Sequence, residues 1–208
     1  MTTAFADLLE AVSPPANAVE PGSPEAFAAV EARLGLALPA DYKSLIGAYG
    51  TGSWKGFLWV LNPFAQNRFL NLFEQIQRQL DAERTIRTDW PNQIPFPIYP
   101  EPGGLLPWAM TDNGDRLYWL TAGQADTWAT IVYESRGPQY DSHRMSCCEL
   151  LRRWVAGELR ISVFPDDFEY GFVGAFERWR SLADSRRSHD ASRLANSDRS
   201  GTDDIVAE

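Results

Sequence analysis

Two aspartates three positions apart, Asp112 and Asp115, bracket the pair Asn113-Gly114, and a second acidic group, Asp166, Asp167 and Glu169, follows nearer the C-terminus. Paired carboxylates are what glycoside hydrolysis requires: one protonates the leaving oxygen, and the other acts as base or nucleophile several ångströms away. A hairpin can hold two carboxylates at such a separation, so a hydrolase using Asp112 and Asp115 is one reading. Tight turns also select aspartate and asparagine, whose side chains bond their own backbone. Turn chemistry therefore accounts for Asp112 without any reaction. The Asp166 group reads as a solvated acidic loop or, on an interaction surface, as a contact for Arg or Lys of a partner.

Other reactive side chains are few. His143 and His189 are the only histidines, and Ser142 beside His143 gives no geometry for activating a nucleophile. Cys147 and Cys148 are adjacent and open a helix, whose N-terminus stabilises a thiolate. Free cysteine more commonly behaves as a small apolar residue, which is the preferred reading of both. Two neighbouring cysteines alone are not a zinc set. Gly50, Gly52 and Gly56 follow a helix and precede a strand, the reverse of a dinucleotide-binding loop. No cofactor or metal is expected.

Charge narrows the partners. The chain of 208 residues carries a net charge of −9 with a sequence pI near 4.8. Phosphate-binding surfaces need the opposite sign, so direct nucleic-acid binding is not expected; an acidic surface steers basic partners. No apolar run approaches the roughly twenty residues of a membrane span, and the N-terminal MTTAFADLLEAV lacks the basic start of a secretory signal. Two adjacent cysteines cannot build a disulfide framework, which points to a reducing compartment, the cytoplasm. Eight tryptophans suit a core or an interface.

These residues must be positioned by local elements. Residues 1–22 hold a short amphipathic piece, Phe5-Leu8-Leu9-Val12, and a Pro-rich linker, expected to lie outside the core. Ser23 caps a first helix with Pro24 in its first turn, Phe27, Val30 and Leu34 buried, and Gly35 as its stop. Leu38-Pro39 leads into a second helix with Tyr42, Leu45, Ile46 and Tyr49 on one face. Gly50 sits where a left-handed cap belongs, a glycine-rich turn follows, and Phe57–Leu61 is a buried strand. Asn67–Glu83 reads as a helix with Phe69, Leu72, Phe73, Ile76 and Leu80 inward and Gln75 and Gln79 toward water. A proline-rich extended loop follows. Leu106–Thr111 and Arg116–Leu120 flank the Asn-Gly hairpin signal, and Trp128–Glu134 adds a third strand. Ser146 and Glu149 form a capping box for a helix ended by Gly157. Phe172, Phe176 and Trp179 suggest one more helix. The tail 184–208 is polar and serine-rich and reads as disordered.

Leu38-Pro39-Ala40-Asp41-Tyr42 with its helix, Tyr49-Gly50-Thr51-Gly52, the strand around Trp59, Leu106-Pro107-Trp108-Ala109, and Asp112-Asn113-Gly114-Asp115 with Leu117-Tyr118-Trp119 together resemble the SUKH superfamily. That group contains fungal cell-wall-synthesis regulators and bacterial toxin-immunity proteins. The resemblance covers residues 24 to 160. It implies a single α+β domain, 23–183, with a mostly antiparallel sheet and helices packed against it. It also implies a non-enzymatic protein-binding module, first of all an immunity protein that neutralises a cognate, basic toxin, and otherwise a regulatory scaffold. Trp54, Asp112, Asp115, Asp166 and Asp167 are the partner-contact candidates.

Overall fold

A computed structural model describes residues 2–165 and 175–180. The described residues form five α-helices and one antiparallel sheet of seven strands, an α+β architecture. In chain order these are α1 (Thr3–Ala11), α2 (Pro24–Leu34), α3 (Ala40–Tyr49), β1 (Gly52–Trp54), β2 (Leu58–Val60), α4 (Leu72–Asp89), β3 (Leu105–Thr111), β4 (Arg116–Leu120), β5 (Ala129–Tyr133), β6 (Tyr140–His143), α5 (Cys147–Val155) and β7 (Phe176–Arg178). The sheet order is β6-β5-β4-β3-β2-β1-β7.

Alternation along the central strands divides the sheet into two faces. Leu117, Trp119 and Val132 face the larger core, which also takes Phe27 and Val30 of α2, Tyr42, Leu45 and Ile46 of α3, and Leu150 and Leu151 of α5. Tyr118, Ile131 and Tyr133 face a smaller core closed by Leu80 of α4 and by Ile94 and Ile98 of the loop after it. Aromatic rings dominate the larger core: Tyr42 meets Trp119 edge-on at 4.9 Å, and Trp108 stacks on Trp119 at 5.8 Å.

Local capping follows the sequence signals. The Ser23 hydroxyl accepts from the Ala26 amide, Ser146 from that of Glu149, and Gly35 ends α2 in the left-handed region. Residues 67–70 make a turn rather than helix, because Asn71 caps α4 by accepting from the Phe73 and Glu74 amides. Gln75 and Gln79 are buried and bonded to one another, contrary to the expectation that they face water.

Three further expectations are corrected. The N-terminal segment lies inside the core: Phe5, Leu8 and Val12 are buried in it, and the Tyr49 hydroxyl donates to the Val12 carbonyl. Its linker is pinned as well, since the Glu20 carboxylate accepts from Thr51 Oγ1 and from the Gln66 amide. Second, Gly52–Trp54 is a strand, not part of a glycine turn, and the reversal is confined to Lys55 and Gly56, both at positive φ. Third, residues 176–178 form β7, not a helix. Phe176 pairs with Trp54 in register, and its ring lies 5.1 Å from both Tyr49 and Trp54. Pairing with β1 overrides helical spacing here, and Gly52 permits it: a Cβ there would meet the Phe176 ring at 2.3 Å. Phe172 and the tail after 184 lie outside the described residues.

Candidate functional site

The candidates chosen by residue type do not assemble into one site. Trp54 is 1% exposed and packs on Tyr49, so it is a core residue that no partner can reach. Asp115 is 4% exposed, and its carboxylate is committed. Oδ2 accepts from Thr111 Oγ1 at 2.9 Å, Oδ1 accepts from the Ser135 amide at 3.0 Å, and Thr111 Oγ1 accepts in turn from the Asp115 amide. It ties the β3–β4 hairpin to the end of β5 and has no face left for substrate or partner. Asp112 is exposed, and its Oδ1 accepts from the Trp59 indole at 2.7 Å. The hairpin therefore presents one accessible carboxylate rather than two, and it lacks the pair a hydrolase would need. Asp166 and Asp167 lie outside the described residues.

Cys147 and Cys148 meet an unexpected partner, the buried Asp41 of α3. Asp41 Oδ2 accepts from the Cys148 amide at 3.1 Å and from Cys147 Sγ at 3.4 Å. The carboxylate thus occupies the position at the α5 N-terminus where an anion is stabilised. One ligand atom from each of the three residues lies within 4.8 Å of the others. Burial pushes the Cys147 thiol well above its usual range, and the hydrogen bond with Cys148 and the charge of Asp41 push the same way. The Cys147 hydrogen bond lowers the Cys148 pKa, but burial and Asp41 raise it further. These hydrogen bonds join α3 to the start of α5, so the group works as a latch between the two helices.

The smaller-core side of the sheet carries a different kind of feature. Between the C-terminal end of α4, the loop after it and the β5–β6 turn lies a groove of about 360 Å³. Ile86, Trp90 and Pro138 form its apolar walls, and Glu83, Arg116 and Tyr133 lie at its base. Trp90 is 55% exposed; Tyr140, 42% exposed, stacks on Tyr133 and is met edge-on by Phe96. Among the described residues the exposed large hydrophobics are these two and Phe69. Trp90 lines the groove itself, and Tyr140 stacks on Tyr133, which lines it. The Tyr133 hydroxyl donates to the Gln93 carbonyl, which fixes the loop under Trp90. Burial, then the nearby Glu83 and Tyr140, push the Tyr133 hydroxyl up to about 12. It is a structural donor, not an acid–base group.

Glu83 is absent from the candidates that residue type suggests, although the sequence carries a signal for it. It lies three positions after Leu80, on the inward stripe of α4, where a carboxylate does not belong without a partner. Trp90 has no such signal, because it sits in a segment whose prolines mark it only as a helix breaker.

The aromatic strand, the Gly-Asp hairpin and the helix–glycine segment occupy adjacent parts of one sheet and its packed helices. The family model described as SMI1 / KNR4 family (SUKH-1) matches residues 21–145. The chain belongs to this family. No curated protein and no solved structure matches it. The SUKH-1 match runs from the linker before α2 through β6 and includes every residue of the groove named above. Membership supports protein partners in general, and among the described residues no helix is long and apolar enough to cross a membrane.

Proposed function

We propose that this SUKH-1 chain is a non-enzymatic protein-binding module, in the first place an immunity protein that binds and neutralises a cognate bacterial toxin in the cytoplasm. The observation that carries the reading is the groove beside α4, lined by exposed Trp90 and by Tyr133, on which exposed Tyr140 stacks. Solvent-exposed tryptophan and tyrosine around a concavity are the side chains that anchor protein interfaces, because each buries a large area with few rotamers to fix. The net charge of −9 complements a basic toxin and speeds encounter with it, and Asp112 is an accessible carboxylate for that purpose. A hydrolase reading loses its support, because Asp115 is sealed into the hairpin.

The test begins with the purified chain as bait in an extract of the native source, with bound proteins identified by mass spectrometry. The expected partner is stoichiometric, arrests growth when expressed alone, and is silenced when the chain is co-expressed. Trp90→Ala with Tyr140→Ala should abolish the rescue while leaving the fold intact. Recovery of housekeeping regulators in place of a growth-arresting protein would replace the toxin reading with the scaffold one.

A further inference from the structure

The base of the groove holds an asymmetric ion pair. Arg116 opens β4, two residues before Tyr118, so both point to the smaller-core face. Across from them α4 lowers Glu83, whose Oε1 accepts from Arg116 Nη1 and, at 2.7 Å, from the Tyr118 hydroxyl. The Glu83 side chain is 2% exposed, whereas that of Arg116 is 26% exposed. The carboxylate is sealed under α4, and the guanidinium opens to the groove. Arginine has five N–H donors in a planar fork that matches a carboxylate. Arg116 uses one nitrogen on Glu83 and also meets the Tyr118 hydroxyl, which leaves part of the fork unused. The buried glutamate therefore acts as a positioning residue, holding a rigid fork with donors to spare toward solvent.

The surroundings favour an anion there. Arg136, exposed on the β5–β6 turn, lines the same groove. The opposing charge is Glu134, but it pairs with neither arginine. Its carboxylate lies over the turn instead: a Cβ on Gly137 would stand 2.2 Å from Glu134 Oε2. Trp90 and Ile86 supply an apolar wall beside the cation.

We infer that the groove is a carboxylate-binding subsite, in which Arg116, held by Glu83, receives an Asp or Glu side chain of the partner protein while Trp90 covers an apolar neighbour of that residue. This rests on the groove being the partner-facing surface. It adds a requirement that the acidic net charge does not suggest: a partner basic as a whole presents one acidic residue at its point of insertion.

The probes are four short peptides titrated against the ¹⁵N-labelled full chain: Ac-Leu-Glu-Leu-NH₂, its Gln and Lys counterparts, and Ac-Leu-Leu with a free C-terminus. The Glu peptide should shift the Trp90 indole N–H and the amides of Arg136 and Gly137, with the Gln peptide about tenfold weaker, as expected for loss of one charge-assisted bond. Because the protein is strongly acidic, a preference for Glu over Lys can arise only from a local cation. Arg116→Gln should erase the Glu–Gln difference. It also leaves Glu83 buried without its cation, so Glu83→Gln/Arg116→Gln, a neutral pair of similar shape, is the second variant. Glu83→Gln alone should narrow the difference with Arg116 still present, which a purely structural role of Glu83 would not do. Equal shifts from Glu and Gln, stronger shifts from Lys, or shifts away from the groove overturn the inference. Binding of the free C-terminus without binding of Glu overturns the assignment to a side chain. The subsite and the binding surface fail separately. If Trp90→Ala abolishes toxin neutralisation and the peptides do not discriminate, the subsite falls and the binding surface stands. If the peptides discriminate and Trp90→Ala leaves neutralisation unchanged, the groove is not the partner-facing surface, and the inference falls with that reading.

Discussion

Asp115 and Asp112 sit at the two ends of one turn, yet their removal should differ several-fold in cost. Asp115→Ala deletes a buried acceptor of two bonds, from Thr111 Oγ1 at 2.9 Å and the Ser135 amide at 3.0 Å. Bonds to a charged acceptor contribute about 1.5–3 kcal/mol each, and the stranded Ser135 N–H adds to the loss. A combined cost of about 3–5 kcal/mol follows, of which thermal melting would register about 2–4 °C per kcal/mol in a chain of this size. Asp112→Ala removes one bond, to the Trp59 indole at the surface, and should cost about 1 kcal/mol or less. Urea unfolding of both variants, followed by tryptophan fluorescence, measures the contrast as a shift in midpoint at constant slope. The reasoning fails if Asp115→Ala unfolds at the wild-type urea concentration, or if it loses partner binding while keeping full stability. Either result would mean that the carboxylate is presented outward, as its place in an Asn-Gly turn suggests.

Cys147 and Cys148 should label slowly with iodoacetamide at pH 7.5 and rapidly in urea, by mass spectrometry. Fast native labelling would show that Asp41 and burial do not hold these thiols protonated. Gly50→Ala should cost more than about 2 kcal/mol in chemical unfolding, since its φ of 66° and ψ of −147° belong to a region populated almost only by glycine. The added Cβ would also stand 2.1 Å from the Val19 carbonyl oxygen, so a wild-type midpoint would disprove that contact. Hydrogen bonds from Arg87 and then from the Ile98 amide bring the Glu101 carboxyl down to about 2, from an ordinary value near 4.5. A depressed folded pKa contributes stability above the unfolded value and loses it as pH falls toward 2. Glu101→Gln should therefore flatten the stability profile between about pH 4.5 and 2, and an unchanged profile would show that the pair is not formed in solution.

Elements closed by local chemistry are legible in the amino-acid sequence. Ser23, Pro24 and Gly35 bound α2, Ser146 and Glu149 start α5, and Asn113-Gly114 makes the β3–β4 hairpin, each through contacts within a few residues. What stays hidden depends on distant partners. Gly52–Trp54 pairs on one side with nearby β2, but its other partner is β7, more than a hundred positions away in the chain, and β6 has no apolar alternation to announce it. The polar alternation of Tyr140–His143 is natural for a strand at the edge of the sheet. Asp115 looks like a surface turn residue, but its carboxylate is taken up by Thr111 and by the distant Ser135 amide. The position of Gly50 after a helix suggests a left-handed cap. Its actual conformation lets the backbone pass against Val19, in a Pro-rich segment that has the composition of a free linker.

The two cores also explain where such a protein can change its partner. The larger core is held by interlocking rings and by α1, α2, α3 and α5, so an altered side chain there is felt through many neighbours. The smaller core has Leu80, Ile94, Ile98 and four sheet residues, and its outer margin is a loop and a turn. Substitutions at Trp90, Arg136 or Tyr140 alter exposed chemistry without emptying either core. Arg116 and Glu83 are the exception, a half-buried cation on a buried carboxylate, and breaking one partner of such a pair is costly. If the groove binds a partner, rim residues should tolerate exchange with little loss of stability and a large change in specificity. Single changes at Glu83 or Arg116 should disturb both. A saturation library over Trp90, Arg136 and Tyr140, sorted separately for folded yield and for partner binding, tests that division. Rim variants that fall together in both measures would show that the exposed aromatics support the fold rather than the interface.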